Sequence, residues 1–311
     1  MWSSYDPTQK MPDFYRNVPN EGVLIPTTDE VAYEHFEDYR WVYNKLLVNE
    51  SQWLPCGPVG TEPTEYPVCV KPIYNLFGGS IGSIVCHNKE EYNKITNPGA
   101  FWSRYAFGEH YSIDVIMLDG EIMKWFVLRG EKLQHGAFDY WELVDLPKAE
   151  TDYLSDWLYD NMDDYTGIIN VEMIGCQIIE AQLRMGDIDR FGDPGLMRAI
   201  HQLYNEGVWN WASGHATPDT FYLAALFAQP DVTYSLNKSL FDYICGDLTY
   251  YQFDDPDLFF TNPAHGNRVA IFCDSDWDKV ERARNIAANM LKPDIDGKYL
   301  QPLLGYKELT I

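Results

Sequence analysis

Apolar and polar positions along this chain change period several times, and each change marks an element. Gly22–Pro26 (GVLIP) reads as a short strand leading into a helix over Asp29–Phe36, with Thr27 or Thr28 as N-cap. A second helix is predicted over Tyr39–Gln52, followed by a Pro- and Gly-rich loop over Pro55–Pro67. Tyr66–Pro72 (YPVCVKP) reads as a buried strand, Asn75–Ser83 (NLFGGSIGS) as a glycine-rich loop, Ile84–His87 as a strand and Lys89–Ile95 as a short helix. Two apolar runs, Tyr111–Leu118 and Glu121–Arg129, flank Asp119-Gly120, the signature of a hairpin. A helix over 151–162 carries Leu154, Trp157, Leu158 and Met162. Gly167–Ile174 and Cys176–Gln182 read as two strands around Gly175.

Beyond them, Leu196–Glu206 is predicted helical, with Leu196, Ile200 and Leu203 on one face. Phe221–Phe227 is an apolar run, and His265–Cys273 contains a strand (RVAIFC). Ser275 is expected to cap an amphipathic helix with Trp277, Val280, Arg284, Ala287 and Leu291 at helical spacing. Mixed strand–loop–helix units of this kind predict an α/β (α+β) protein. With 311 residues, 46% of them hydrophobic, the chain can bury a sizeable core.

Charge removes several functions. The sequence holds 47 acidic and 23 basic residues, a formal net charge of -24, and no Lys/Arg-rich run. No general nucleic-acid binding and no membrane-surface binding are expected of such a chain. Met1 to Asn17 lacks the apolar centre of a signal peptide, and no apolar stretch is long enough to span a membrane, so a cytoplasmic protein is expected. None of the six cysteines forms a C-x-x-C pair, and buried reduced thiols are the expectation.

Two constellations can carry chemistry. Lys71 ends a strand and is followed by Gly78, Gly79, Ser80, Gly82 and Ser83. Such a loop can turn its N–H groups onto phosphate oxygens, with the lysine adding a point charge. The competing reading is a glycine-rich turn beside a surface lysine. Neither the P-loop nor the dinucleotide spacing is present. The second constellation is Glu172 on one strand with Glu180, Gln182 and Arg184 alternating along the next. Two carboxylates and an amide oxygen suit Mg²⁺, and Arg184 could clamp a phosphate or carboxylate. The competing reading is a solvated strand face with a Glu–Arg ion pair.

Taken in order, these features resemble the ATP-grasp superfamily. Asn44-Lys45 looks like its first nucleotide lysine, and Tyr66–Pro72 with Gly78–Ser83 looks like its second lysine and glycine-rich flap. Gly108–Asp114 (GEHYSID) is similar to its Gly-x-Glu-x-x-x-Asp segment, with His110 at the ribose-contacting position. Glu172, Glu180, Gln182 and Arg184 match its Glu…Glu-x-Asn-x-Arg metal signature, with Gln182 in place of Asn. The resemblance covers about residues 20–190 and implies two α+β subdomains clasping ATP. It also implies ATP and Mg²⁺ as cofactors, with Lys45, Lys71, Gly78, Gly79, Ser80, Gly82 and His110 on the nucleotide. Glu172, Glu180 and Gln182 would hold the metal. Lys71, Arg129 and Arg184 would be catalytic, Arg129 being preferred over Lys132 as the basic residue near the transferred phosphate.

The implied activity is an ATP-dependent ligase that activates a carboxylate as an acyl phosphate and couples it to an amine or other nucleophile. Small-molecule carboxylate and amine substrates follow from it. The expected division is an arm and remnant of a pre-grasp domain over 1–44, the nucleotide-binding core over 45–195, and a divergent C-terminal α/β region over 196–311. The short front end leaves a homo-oligomer or a partner subunit to supply the missing platform. It also leaves an alternative in which the chain is an ATP-binding or regulatory subunit.

Overall fold

The computed structural model describes residues 22–76, 82–132, 138–211, 219–227, 234–235, 238–253, 268–290 and 292–293. They fall into two compact units. The first takes the described residues through Leu128, then Asp145–Asp189, then those from Asp193 to Trp211. The second takes Arg129–Val144, Arg190–Gly192 and the described residues beyond 216.

The first unit contains two sheets. Strands β1 (Cys56–Pro58), β2 (Val68–Pro72), β3 (Ile84–Cys86) and β4 (Ala100–Arg104) form an antiparallel sheet in the order β1-β4-β2-β3. Val68 and Val70 of β2 turn into a core with Cys86, Tyr92, Ala100 and Trp102. Because strand side chains alternate, Cys69 and Lys71 take the opposite face. Strands β5 (His110–Leu118), β6 (Glu121–Lys132, its part through Leu128), β8 (Gly167–Ile174) and β9 (Ile178–Gln182) follow the order β6-β5-β8-β9. The hairpin between β5 and β6 turns at Asp119 (φ 49°) and Gly120 (φ 79°), the two left-handed residues that a two-residue turn matching strand twist requires.

Helices α1 (Asp29–His35), α2 (Lys45–Ser51), α3 (Lys89–Tyr92), α4 (Lys148–Asn161) and α5 (Pro194–Glu206) complete this unit. The helix expected over Tyr39–Gln52 is two pieces, a 3₁₀ turn over Arg40–Tyr43 and then α2. Asn44 separates them. It leaves helical geometry (ψ 96°), and its Oδ1 accepts from the Leu46 and Leu47 N–H groups, so it starts a new helix with Lys45 as first residue. The expected strand at Gly22–Pro26 reduces to one bridge residue, the fully buried Ile25.

The second unit is built on β7 (Phe138–Val144), β10 (Tyr222–Phe227), β11 (Tyr250–Phe253) and β12 (Arg268–Asp274), in the order β11-β12-β10-β7. Helices α6 (Lys238–Cys245) and α7 (Trp277–Met290) bury Phe241, Val280 and Ala287 against Ala224 and Phe272. Asp276 rather than Ser275 caps α7. Its side chain accepts from the Asp278 N–H, and its carbonyl takes the first helical bond from Val280. Among the described residues, no helix is long and apolar enough to cross a membrane.

Candidate nucleotide and metal site

The alternation of β5, β8 and β9 places polar residues on one face of the sheet in two ladders. Ser112, Glu172 and Glu180 are register partners across the three strands, and so are Asp114, Asn170 and Gln182. Asp114, Asn170 and Gln182 are buried, which makes this a polar lattice inside the protein and not a solvated strand face. Buried polar groups must find partners, and these do. The Asn170 Nδ2 donates to Ser112 Oγ and Asp114 Oδ1, each at 3.0 Å. Asp114 also accepts from the Gly186 N–H at 2.6 Å and the Asp187 N–H at 3.2 Å, which ties the segment after β9 to β5. Burial pushes the Asp114 carboxyl up to about 6.

Glu180 is the centre of the arrangement. The Lys45 ammonium lies 2.8 Å from its Oε2, with the two side chains only 9% and 16% exposed. Gln182 donates its Nε2 to Oε1 of the same carboxylate at 3.0 Å. The Glu172 Oε2 lies 3.2 Å from His110 Nε2. Burial works to raise Glu172, but that hydrogen bond and the charges of His110, Lys45 and Arg184 outweigh it and hold the carboxyl below its ordinary value.

Lys71 is buried, which removes the reading of a surface lysine. Its Nζ donates to the Ile179 carbonyl at 2.8 Å and stands 5.6 Å from the centre of the Phe101 ring. Burial lowers its pKa from the ordinary lysine value. Lys45 from α2, Lys71 from β2, Glu172 from β8 and Glu180 from β9 thus converge, although 135 residues separate the first from the last (180 minus 45).

Arg184 sits differently. Its Nε and Nη2 meet Asp29 Oδ1 and Oδ2 at 2.8 and 3.2 Å, and its Nη1 donates to the Met185 carbonyl at 3.0 Å. The Glu–Arg pair considered from sequence is therefore an Asp29–Arg184 pair, and the guanidinium fork is closed by a residue of α1. Burial raises the Asp29 carboxyl despite Arg184, which works the other way. Arg129 belongs to the second unit, where it pairs with Glu142 at 2.6 Å. Gly82 has φ 78°, and a Cβ there would meet Pro72 Cγ at 3.1 Å, so the glycine-rich segment returns close to the end of β2. Gly78, Gly79 and Ser80 lie outside the described residues.

Sequence reasoning missed Asn170 and Asp29. Asn170 precedes Glu172 by two and so shares its face, a signal that was present. Asp29 gave none, because its partner is 155 residues away. The donor set of Glu172, Glu180 and Gln182 fits a hard divalent cation, being two carboxylates on facing strand positions and an amide oxygen two residues further along β9. Among the described residues no group of three His, Cys, Asp or Glu is arranged for a metal, so the amide is needed to complete such a set.

No protein-family model matches the sequence, and no curated protein matches it either. Solved structures do match its fold. The L-amino acid ligase of Bacillus licheniformis aligns over 88% of this chain and 80% of its own, with TM-score 0.60 and 11% identity. The phosphoribosylamine–glycine ligase of Thermotoga maritima aligns over 90% and 85%, with TM-score 0.59 and 13% identity. Carboxyaminoimidazole ribonucleotide synthase of Aspergillus clavatus, solved in complex with ATP, aligns over 86% and 82%, with TM-score 0.61 and 9% identity. At these identities the likeness is one of fold, and the chain has the ATP-grasp fold.

Proposed function

We propose that the first unit binds Mg-ATP, and that the protein is an ATP-dependent ligase which activates a carboxylate as an acyl phosphate and couples it to an amine or other nucleophile. The observation that carries this reading is the convergence of Lys45 and Lys71 on the strand that bears Glu180. An isolated buried cation is expensive, and a site with two of them beside two carboxylates is suited to a polyanion with a divalent metal. The fold neighbours add support. One was solved with ATP, and the biotin carboxylase domain of Hydrogenobacter thermophilus 2-oxoglutarate carboxylase was solved with MgADP and bicarbonate.

In this reading Glu172, Glu180 and Gln182 hold Mg²⁺, which neutralises charge on the β- and γ-phosphates when bound. Lys45 and Lys71 face the phosphate oxygens, and His110 contacts the ribose. A substrate carboxylate oxygen attacks the γ-phosphorus, and the bond to the β–γ bridging oxygen breaks to release ADP. The lysines stabilise charge on the transferred group, since phosphoryl transfer demands positioning and electrostatics more than covalent help. The nucleophile then attacks the acyl carbon and loses a proton, and phosphate leaves with its oxygen. Arg184, already fixed by Asp29, presents its positive charge from a set position beside Glu172 and Asp114.

The test is a screen of amino acids, amines and carboxylates for substrate-dependent ADP release, with mass spectrometry of the products. Glu180→Gln should abolish the release that the wild-type protein shows. Undiminished turnover in that variant would remove Glu180 from the site.

A further inference from the structure

Both oxygens of the Glu180 carboxylate are engaged by donors of the protein itself. The Lys45 ammonium lies 2.8 Å from Oε2, and the Gln182 Nε2 donates to Oε1 at 3.0 Å. All three side chains are largely enclosed. A cation that takes this carboxylate must therefore displace one donor or the other.

The two displacements differ in kind. A divalent ion at about 2.1 Å from Oε2 would lie no more than about 5 Å from an ammonium held on the same oxygen. Two positive charges that close, in a site with little water, repel strongly. The charge of Lys45 also acts on Glu172, and Lys71 acts on both carboxylates, so the whole acidic pair is compensated by lysines. A metal ion arriving alone would leave Lys45 without a counter-charge in an enclosed place, which is costly. At Oε1 the obstacle is an amide. Gln182 turns its amino end to Glu180, and its oxygen could face that carboxylate only with a cation between them.

Only the side chain of Lys45 is placed to move. Its N–H donates to the Ile73 carbonyl at 2.9 Å, and its carbonyl accepts from the Asn49 Nδ2 at 2.7 Å, so the backbone is tied on both sides. The four-carbon stem beyond it is flexible and ends in a point charge that any anionic oxygen satisfies. A phosphate group entering beside Glu180 supplies such oxygens.

Resting on the reading of Glu172, Glu180 and Gln182 as the metal's ligands, we propose that Lys45 bars the metal site to divalent ions that arrive without nucleotide. The ammonium leaves Glu180 for a phosphate oxygen as the metal takes its place, and the Gln182 amide turns its oxygen inward. Metal and nucleotide then enter as one unit, and neither carboxylate is open to free Mg²⁺.

Mn²⁺ is the probe, and the loss of its free-ion electron paramagnetic resonance signal reports uptake by the full-length protein. The wild type takes up Mn²⁺ poorly alone and binds one ion per chain when ADP is present. Lys45→Met binds Mn²⁺ alone tighter than wild type by about tenfold or more, the size of an ordinary coupling between two ligands. A buried pair that loses one member is destabilised, so Lys45→Gln, which keeps a neutral donor toward Glu180, is measured beside it, with circular dichroism as the check on folding. Adding Glu180→Gln to either variant removes the gain. Micromolar uptake of Mn²⁺ alone by the wild type overturns the proposal without any variant. So does equal uptake by wild type and both lysine variants, and so does a gain that survives Glu180→Gln. In those cases, binding of Mn-ADP by the wild type leaves the nucleotide site standing. No uptake of Mn²⁺ even with ADP removes the metal site itself, and the proposal falls with it.

Discussion

The Lys45 ammonium and the Glu180 carboxylate meet at 2.8 Å, one at the first residue of α2 and the other in the middle of β9, both nearly enclosed. Removing one member of such a pair leaves a buried charge uncompensated, whereas removing both does not. Lys45→Met should therefore lower stability by about 3–5 kcal/mol. The double variant Lys45→Met/Glu180→Gln should recover most of that loss. Urea denaturation of the four proteins in a double-mutant cycle measures the coupling. Simple additivity would mean that the contact contributes nothing.

Lys71 has the opposite character. Its charge is disfavoured by burial, and it donates only one hydrogen bond to protein, at the Ile179 carbonyl, among those described. Lys71→Met should leave the melting temperature unchanged or raise it, while weakening Mg-ADP. The pH dependence follows from the lowered pKa. Between that lowered value and the ordinary 10.5 the unfolded chain holds more protons than the folded one, so stability rises with pH across this window. The Met variant should lack that rise in denaturation curves taken from neutral to alkaline pH.

Asp114 titrates in the other direction. Its carboxyl moves from 3.8 up to about 6 on folding, so the folded state is the better proton binder between those values. Its contribution to stability is present below the unfolded value and is lost as pH rises through about 6. Asp114→Asn should flatten the pH dependence of stability between about pH 4 and pH 6, with the variant gaining on the wild type at neutral pH. Equal pH profiles for the two proteins would contradict this.

Two left-handed backbone positions should respond oppositely to substitution. Gly175→Ala adds a Cβ 2.6 Å from the Phe107 oxygen at φ 53°, and should cost about 1–3 kcal/mol. Trp53 ends α2 at φ 57° with its ring 95% exposed, a position where glycine is the ordinary helix terminator. Trp53→Gly should raise stability by up to about 1 kcal/mol, since the ring loses almost no burial. Thermal melts of both variants check the two signs.

Much of this was legible in the residues themselves. The Asp119-Gly120 turn announced its hairpin, because two adjacent left-handed residues have few alternatives. Gly167–Ile174 has the ends its pattern predicts, and Glu180 and Gln182 alternate along one strand as expected, but that strand ends at Gln182 and leaves Arg184 beyond it. What escaped was non-local. β4 (AFWSR) and β7 (FDYWELV) have no period-2 pattern, since β4 buries four residues in succession and β7 none. The helix expected across Asn44 failed because a side-chain cap outcompeted helical continuation there. Arg184 was read as a free clamp, and nothing near it in sequence signals that Asp29 holds its guanidinium.

The most direct test of the central claim is calorimetric titration of Mg-ATP into the wild-type protein and into Lys71→Met, each checked for folding by circular dichroism. One site per chain is expected in the wild type, and its loss or severe weakening in a Lys71→Met protein that melts no lower. A wild-type protein that takes up no Mg-ATP, or a Lys71→Met variant that binds it as tightly as wild type, would rule out a nucleotide site at Lys71.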